Sequence, residues 1–160
     1  MEPNRWLLAT LVAVTLFPAV GWAMDTPSNM APVASDTAAP PDPLRPARDA
    51  IAAQQWSKAL DLLKAQQPRL NRNADLHNLL GFAYRKQASP DLDKSFEHYR
   101  LALEIDPGHR GAHEYIGEAY LMRKQPAKAR EHLQTLQRQC GGTACEEYQD
   151  LAKALAAYRD

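Results

Sequence analysis

Two nine-residue stretches decide how this chain folds: LHNLLGFAY at residues 76–84 and AHEYIGEAY at residues 112–120. His77 aligns with His113, Leu80 with Ile116, Gly81 with Gly117, Ala83 with Ala119 and Tyr84 with Tyr120, every pair 36 residues apart. Downstream, Ser95, Tyr99 and Ala102 meet Ala129, Leu133 and Leu136 at an offset of 34. Ala59, Leu60 and Leu63 form an upstream copy that begins 36 residues before Ser95. Self-similarity at a period near 34, confined to segments with helical apolar spacing, predicts stacked helix–turn–helix units. A glycine inside a helix costs about 1 kcal/mol relative to alanine. Its recurrence therefore asks for a close helix crossing, with Gly81 expected to face Ser95 and Gly117 to face Ala129.

On these residues the chain resembles the tetratricopeptide repeat family. The second unit, 74–109, carries the pattern at Leu80, Gly81, Tyr84, Ser95, Tyr99, Ala102 and Pro107. It has His77 where the family typically has Trp, and two extra residues in the turn around 88–91. The third unit, 110–143, matches at Ile116, Gly117, Tyr120, Ala129 and Leu133, with Leu136 for Ala and Gly141 for Pro. A first unit, 44–73, keeps Ala59 and Leu63 but lacks the Gly and Tyr in its first helix, expected at 44–53. The resemblance implies an all-α repeat solenoid over 44–143, closed by a capping helix within 144–160. It also implies a concave groove, lined by the first helices, that holds a peptide or helix of a partner protein.

The punctuation between units reads as helix starts and stops. Asn73 is an N-cap with Asp75 in the first turn. Ser89, Pro90 and Asp91 read as an N-cap, a first-turn proline and an acid. Asp106, Pro107 and Gly108 separate two units, and Gly141 and Gly142 supply a glycine stop. Thr143 to Glu146 has the form of a capping box opening a last amphipathic helix, 145–158, through Tyr148, Leu151, Leu155 and Tyr158. Seven helices are expected.

Outward from the repeats, residues 24–43 form a Pro/Ala-rich linker without apolar periodicity. Before it, residues 6–20 (WLLATLVAVTLFPAV) are mostly apolar and uncharged, preceded by Arg5 and followed by Gly21-Trp22-Ala23. That is the layout of a signal peptide over 1–23, cut after Ala23. The expected destination is the periplasm; left uncut, the segment would anchor the chain in the inner membrane. In an oxidising compartment Cys140 and Cys145 are expected to form a disulfide that pins the last helix.

The composition excludes several functions. With 19 Lys+Arg against 19 Asp+Glu the chain has no basic excess for nucleic acid. No Ser-His-Asp order, phosphate loop or paired-carboxylate motif is present, so no enzyme activity and no cofactor are expected. His109 and His113 stand at i, i+4, a possible two-ligand face, but His77 and His113 read better as core or boundary residues. No metal site is expected, and no membrane partner after cleavage. Mapped through the resemblance, the groove residues are Arg48, Asp75, Asn78, Phe82, Arg85, Lys86, Glu114, Glu118, Leu121 and Met122. Among them an exposed Phe82 beside Leu121 and Met122 would make an apolar anchor. The charges would divide the groove into a basic half (Arg48, Arg85, Lys86) and an acidic half (Glu114, Glu118). The family's Lys/Asn carboxylate clamp is absent. The function expected is a scaffold or assembly adaptor, with self-association a further possibility. The alternative is an exported redox- or metal-linked protein using Cys140 and Cys145.

Overall fold

Runs of Ala, Leu and Tyr at helical spacing, interrupted by short polar turns, become helices as soon as each can bury its apolar stripe. The computed structural model describes residues 41–159. The expected leader, 1–23, and residues 24–40 of the expected linker lie outside the described residues. The helices are α1 (Arg45–Ala52), α2 (Trp56–Leu70), α3 (Ala74–Arg85), α4 (Leu92–Ile105), α5 (Arg110–Met122), α6 (Pro126–Gln139) and α7 (Glu146–Ala157). No strand occurs among the described residues, which are all-α. Each helix packs on the next, and α5 also packs on both α3 and α7.

Two apolar clusters follow from this pairing. Leu44, Ala47 and Ala50 of the first turn and α1 meet Ala59, Leu60 and Leu63 of α2 and Leu76, Leu80 and Ala83 of α3. Phe96 and Tyr99 of α4 meet Ile116 and Ala119 of α5. The two repeated glycines sit at these crossings, but they do different things. A Cβ on Gly81 would lie 2.6 Å from the Tyr99 ring and 3.0 Å from the Ser95 carbonyl oxygen, so this glycine lets α3 press onto α4. A Cβ on Gly117 would instead lie 2.6 Å from Leu151 of α7. The side chain nearest to Gly117 therefore comes from α7, where Tyr99 of α4 takes the equivalent place over Gly81.

The turns explain where the helices stop. After α1, Gln54 takes φ 56°, and after α5, Lys124 takes φ 57°. Around the first, Gln55 N–H bonds Ala50 O at 2.8 Å and Gln54 N–H bonds Ile51 O at 2.9 Å. Around the second, Gln125 N–H bonds Tyr120 O and Lys124 N–H bonds Leu121 O, both at 2.9 Å. This is the Schellman arrangement, in which a left-handed residue satisfies the last carbonyls. The glycine stop after α6 repeats it, with Gly141 at φ 63° and Gly142 N–H bonding Gln137 O at 3.0 Å.

Two helix starts differ from expectation. The N-cap of α4 is Asp91, whose side chain accepts from Lys94 N–H at 3.1 Å, rather than Ser89. The N-cap of α7 is Cys145, with no side-chain cap, rather than Thr143. The disulfide accounts for the second, since it ties Cys145 to Cys140, the C-cap of α6, at a Cα separation of 5.9 Å. The Asn73 cap forms as expected, accepting from Leu76 N–H at 2.8 Å.

Candidate functional site

Because the offset between α3 and α5 is 36 residues, positions that look out of one helix recur on the other. Asn78 corresponds to Glu114, Phe82 to Glu118, Arg85 to Leu121 and Lys86 to Met122. The ten residues expected along this face divide by burial. Asp75, Lys86 and Met122 are exposed, and Arg48, Phe82 and Glu118 are half-buried. Asn78, Arg85, Glu114 and Leu121 are buried. Leu121 therefore is not the exposed apolar partner of Phe82, because it belongs to the last buried turn of α5.

Phe82 has other neighbours. Its ring lies 6.0 Å from Trp56 at the start of α2 and 4.7 Å from Tyr115 on α5. With Ile51, Ala52, Gln54, Trp56 and Lys86 it lines a cleft of about 480 Å³. A row of aromatic rings, Trp56–Phe82–Tyr115, thus crosses three helices. Trp56 and Tyr115 were missed in the sequence reading. Tyr115 adjoins the predicted Glu114, but Trp56 stands at the start of a helix whose later residues alone showed the repeat.

The charges do not separate into a basic and an acidic half. Arg85, only 7% exposed, crosses from α3 to place Nη2 2.5 Å from Glu118 Oε2 on α5. Its Nε donates to the Tyr99 hydroxyl at 3.3 Å, and its guanidinium lies over the rings of Phe82 (5.4 Å) and Tyr115 (5.6 Å). Burial works against the charge of Arg85, but Tyr99 and Glu118 more than offset it and its pKa is raised. At the other end Arg48 Nη2 donates to Asp75 Oδ2 at 3.0 Å. Asp75 Oδ1 also accepts from His109 Nε2 at 2.9 Å. Arg85 of the predicted basic half thus pairs with Glu118 of the predicted acidic half, while Arg48 is answered by Asp75.

One carboxyl on this face stands apart. Glu114 is 8% exposed, and neither a hydrogen bond nor an ion pair holds it. Burial first, then the neighbouring Glu118, Asp150 and Glu147, push its pKa up to about 8, against the pull of Arg85. The same burial raises the Tyr115 phenol to about 12. The corresponding position on α3, Asn78, is also buried, and its Oδ1 has no partner.

The histidines are not arranged as a two-ligand pair on α5. His109 Nδ1 accepts from Ala112 N–H at 3.1 Å, so it caps α5 while its Nε2 faces Asp75. His113 points elsewhere, to His132 with an Nδ1–Nδ1 distance of 2.8 Å. The equivalent pair in the preceding unit is His77 and His98, at 3.1 Å. In each pair the first histidine donates Nε2–H to a carbonyl, of Asn71 at 2.9 Å or of Pro107 at 3.0 Å. Its Nδ1 is then the acceptor and the second histidine's Nδ1–H the donor. Tyr84 stacks on His98 and Tyr120 on His132. Burial holds His98, His113 and His132 below the ordinary histidine pKa, His132 at about 4. These are structural pairs, as expected of core or boundary histidines. Their duplication was legible in the 34-residue offset between His98 and His132.

Cys140 Sγ, Cys145 Sγ and a Glu147 carboxylate oxygen lie within 4.8 Å of one another. The two sulfurs are bonded to each other, and a disulfide sulfur is not the thiolate that a metal takes. Among the described residues no helix is long and apolar enough to cross a membrane. No protein-family model matches the chain, and no curated protein is significantly similar to it.

Proposed function

We propose that this chain is a tetratricopeptide-type repeat module, exported to the periplasm, that holds a segment of a partner protein on the groove face of α1, α3 and α5. It is a scaffold or adaptor and not an enzyme. The observation that carries this reading is the aromatic row Trp56–Phe82–Tyr115, which crosses α2, α3 and α5 and whose first two rings line a cleft. Aromatic residues next to a buried arginine are the composition of protein-binding hot spots. The repeat spacing of the two nine-residue stretches supports the same reading.

A photo-crosslinking residue placed at exposed Lys86 or Met122 should capture a discrete partner in the native compartment. The same residue at exposed Arg130 on α6 should not. Capture from all three positions, or from none, removes the face as the binding surface. Export is tested separately by N-terminal sequencing of the periplasmic protein, which should begin at Met24. Full-length protein in the membrane fraction indicates an anchor instead.

A second reading, redox or metal chemistry at Cys140 and Cys145, is favoured only by the closeness of Glu147 to the sulfurs. Alkylation followed by mass spectrometry separates the two. A pair that reacts only after reduction is a structural staple; a pair that reacts at once supports the second reading.

A further inference from the structure

Two clefts meet at Trp56. The one of about 480 Å³ opens where the end of α1 meets α3, and Ile51, Ala52, Phe82 and Lys86 line it. A larger one, of about 720 Å³, lies where the start of α2 meets the turn after α3. Gln55, Ser57, Lys58, Gln87, Ala88 and Ser89 line this second cleft. Gln54 and Trp56 belong to both, so an indole and an amide form their common wall. Neither cleft is lined by a carboxylate.

The common wall is held in place. Leu60 and Leu63 of α2 are buried in the core, whereas Trp56 stays half-buried, its ring edge-on to Phe82 at 6.0 Å. Such a side chain offers an apolar ring and one N–H donor to whatever lies beside it. Gln54 keeps a side chain at φ 56°, where glycine is the usual residue, and its N–H bond to Ile51 O at 2.9 Å fixes the turn. The side-chain amides of Gln54, Gln55 and Gln87 and the hydroxyls of Ser57 and Ser89 have no partner among the described residues. These groups favour one backbone conformation in an occupant. A helix bonds its own carbonyls, whereas a polyproline-II stretch has no internal hydrogen bonds and leaves every carbonyl open to a donor. It also repeats every three residues, so prolines three apart point the same way and can enter two neighbouring slots.

We propose that the two clefts beside Trp56 take an extended, proline-bearing stretch of the partner segment, one proline in each cleft with the indole between them. This rests on the reading of the face as a partner site and adds the conformation and chemistry of what it selects. Trp56 and Phe82 supply the apolar contact, as aromatic-lined grooves do for such segments. The glutamine amides and serine hydroxyls donate to the segment's carbonyls. Because a polyproline-II stretch is already extended when free, little ordering is needed for it to lie across the two clefts.

The chain itself, with 5-fluorotryptophan at its three tryptophans, reports on this, the Trp56 signal being the one lost in Trp56→Phe. Three pools of nonapeptides are titrated against it. One has proline at its fourth and seventh positions and random residues elsewhere, the second has alanine at those two positions, and the third is helix-forming with an apolar stripe. The proline pool should move the Trp56 signal and bind about tenfold more tightly than the alanine pool. Ala52→Leu and Ala88→Leu, both at exposed positions, each fill one cleft. Either should weaken the proline pool severalfold while leaving the melting temperature unchanged. A proline advantage that survives both substitutions lies outside the clefts and overturns the proposal. If the alanine or the helical pool moves the Trp56 signal as strongly, the proline preference is overturned while the partner face stands. If the pools shift backbone amides of α3 and α5 but not Trp56, the clefts are not the site, and again only the proposal falls. If no pool shifts either, the partner face fails and this proposal with it. Should Pro32→Ala, Pro40→Ala and Pro41→Ala together move the Trp56 signal of the free chain, the occupant is the chain's own segment, which overturns the partner assignment.

Discussion

The helix pairs α3–α4 and α5–α6 share more sequence than any other two parts of the molecule, yet the same glycine is used differently in each. In the first pair Gly81 is covered by Tyr99 from its own partner helix, and Tyr99 in turn receives Arg85. In the second pair Leu133 stands in place of Tyr99, and Gly117 is covered by Leu151 from α7. The first pair thus completes its own packing, while the second borrows a residue from the helix that follows. A repeat can keep its pattern and still pass one contact to a neighbour, because close packing asks only that the space be filled.

This contrast can be tested most strongly at Leu151. It is fully buried, and Leu151→Ala should destabilise the chain by about 2–5 kcal/mol, as buried leucine truncations do. A loss below about 1 kcal/mol in chemical denaturation would show that α7 does not complete the second pair. Next in size are the glycines themselves. Gly81→Ala pushes a methyl into the Tyr99 ring and against a backbone oxygen, whereas Gly117→Ala meets the end of a leucine side chain. Both should destabilise, within about 1–3 kcal/mol, and Gly81 should cost more. The reverse order in thermal melts would refute the assignment of the two contacts.

The histidine pairs are where the two units agree, and acid should probe them together. The folded pKa values of His98, His113 and His132 lie below the unfolded value, so the unfolded chain binds more protons and stability falls as pH drops. The window runs from the ordinary histidine value of 6.5 down to about 4, where His132 titrates. A proton added to the acceptor nitrogen of a pair would also set two N–H groups face to face. Unfolding across this window should show a loss of about 1–3 kcal/mol. His132→Gln should make that loss shallower, and an unchanged slope would mean that the second pair does not contribute.

The smallest effect concerns the turns. Lys124 and Gln54 occupy the left-handed conformation that glycine occupies after α6. Lys124→Gly should therefore stabilise by up to about 1 kcal/mol, since a side chain is disfavoured at that φ. A lower melting temperature would indicate that the lysine side chain contributes a contact greater than the strain.

Much of the fold could be read in advance because it depends on neighbours along the chain. Seven helices, the Asn73 cap, the glycine stop at Gly141 and the pairing of Cys140 with Cys145 all arise within a few residues of one another. Where a local signal misled, at Ser89 and Thr143, a better acceptor or a covalent tie stood two residues further on, at Asp91 and Cys145.

The candidate site was less legible. Its residues were placed on the right helices, but spacing gives only a direction around a helix, not the depth of what packs against it. Leu121 turned inward and Arg85 reached across to Glu118 because α5 lies against α3. Trp56 joined Phe82 and Tyr115 from the start of a helix that only its later residues, Ala59, Leu60 and Leu63, marked as a repeat. Repetition in the two nine-residue stretches was sufficient to specify helices and their order, since helix formation is local. The neighbours of Gly117, the burial of Glu114 and the pairing of the histidines were settled only when the helices met, because burial and charge compensation depend on distances between segments far apart in the chain.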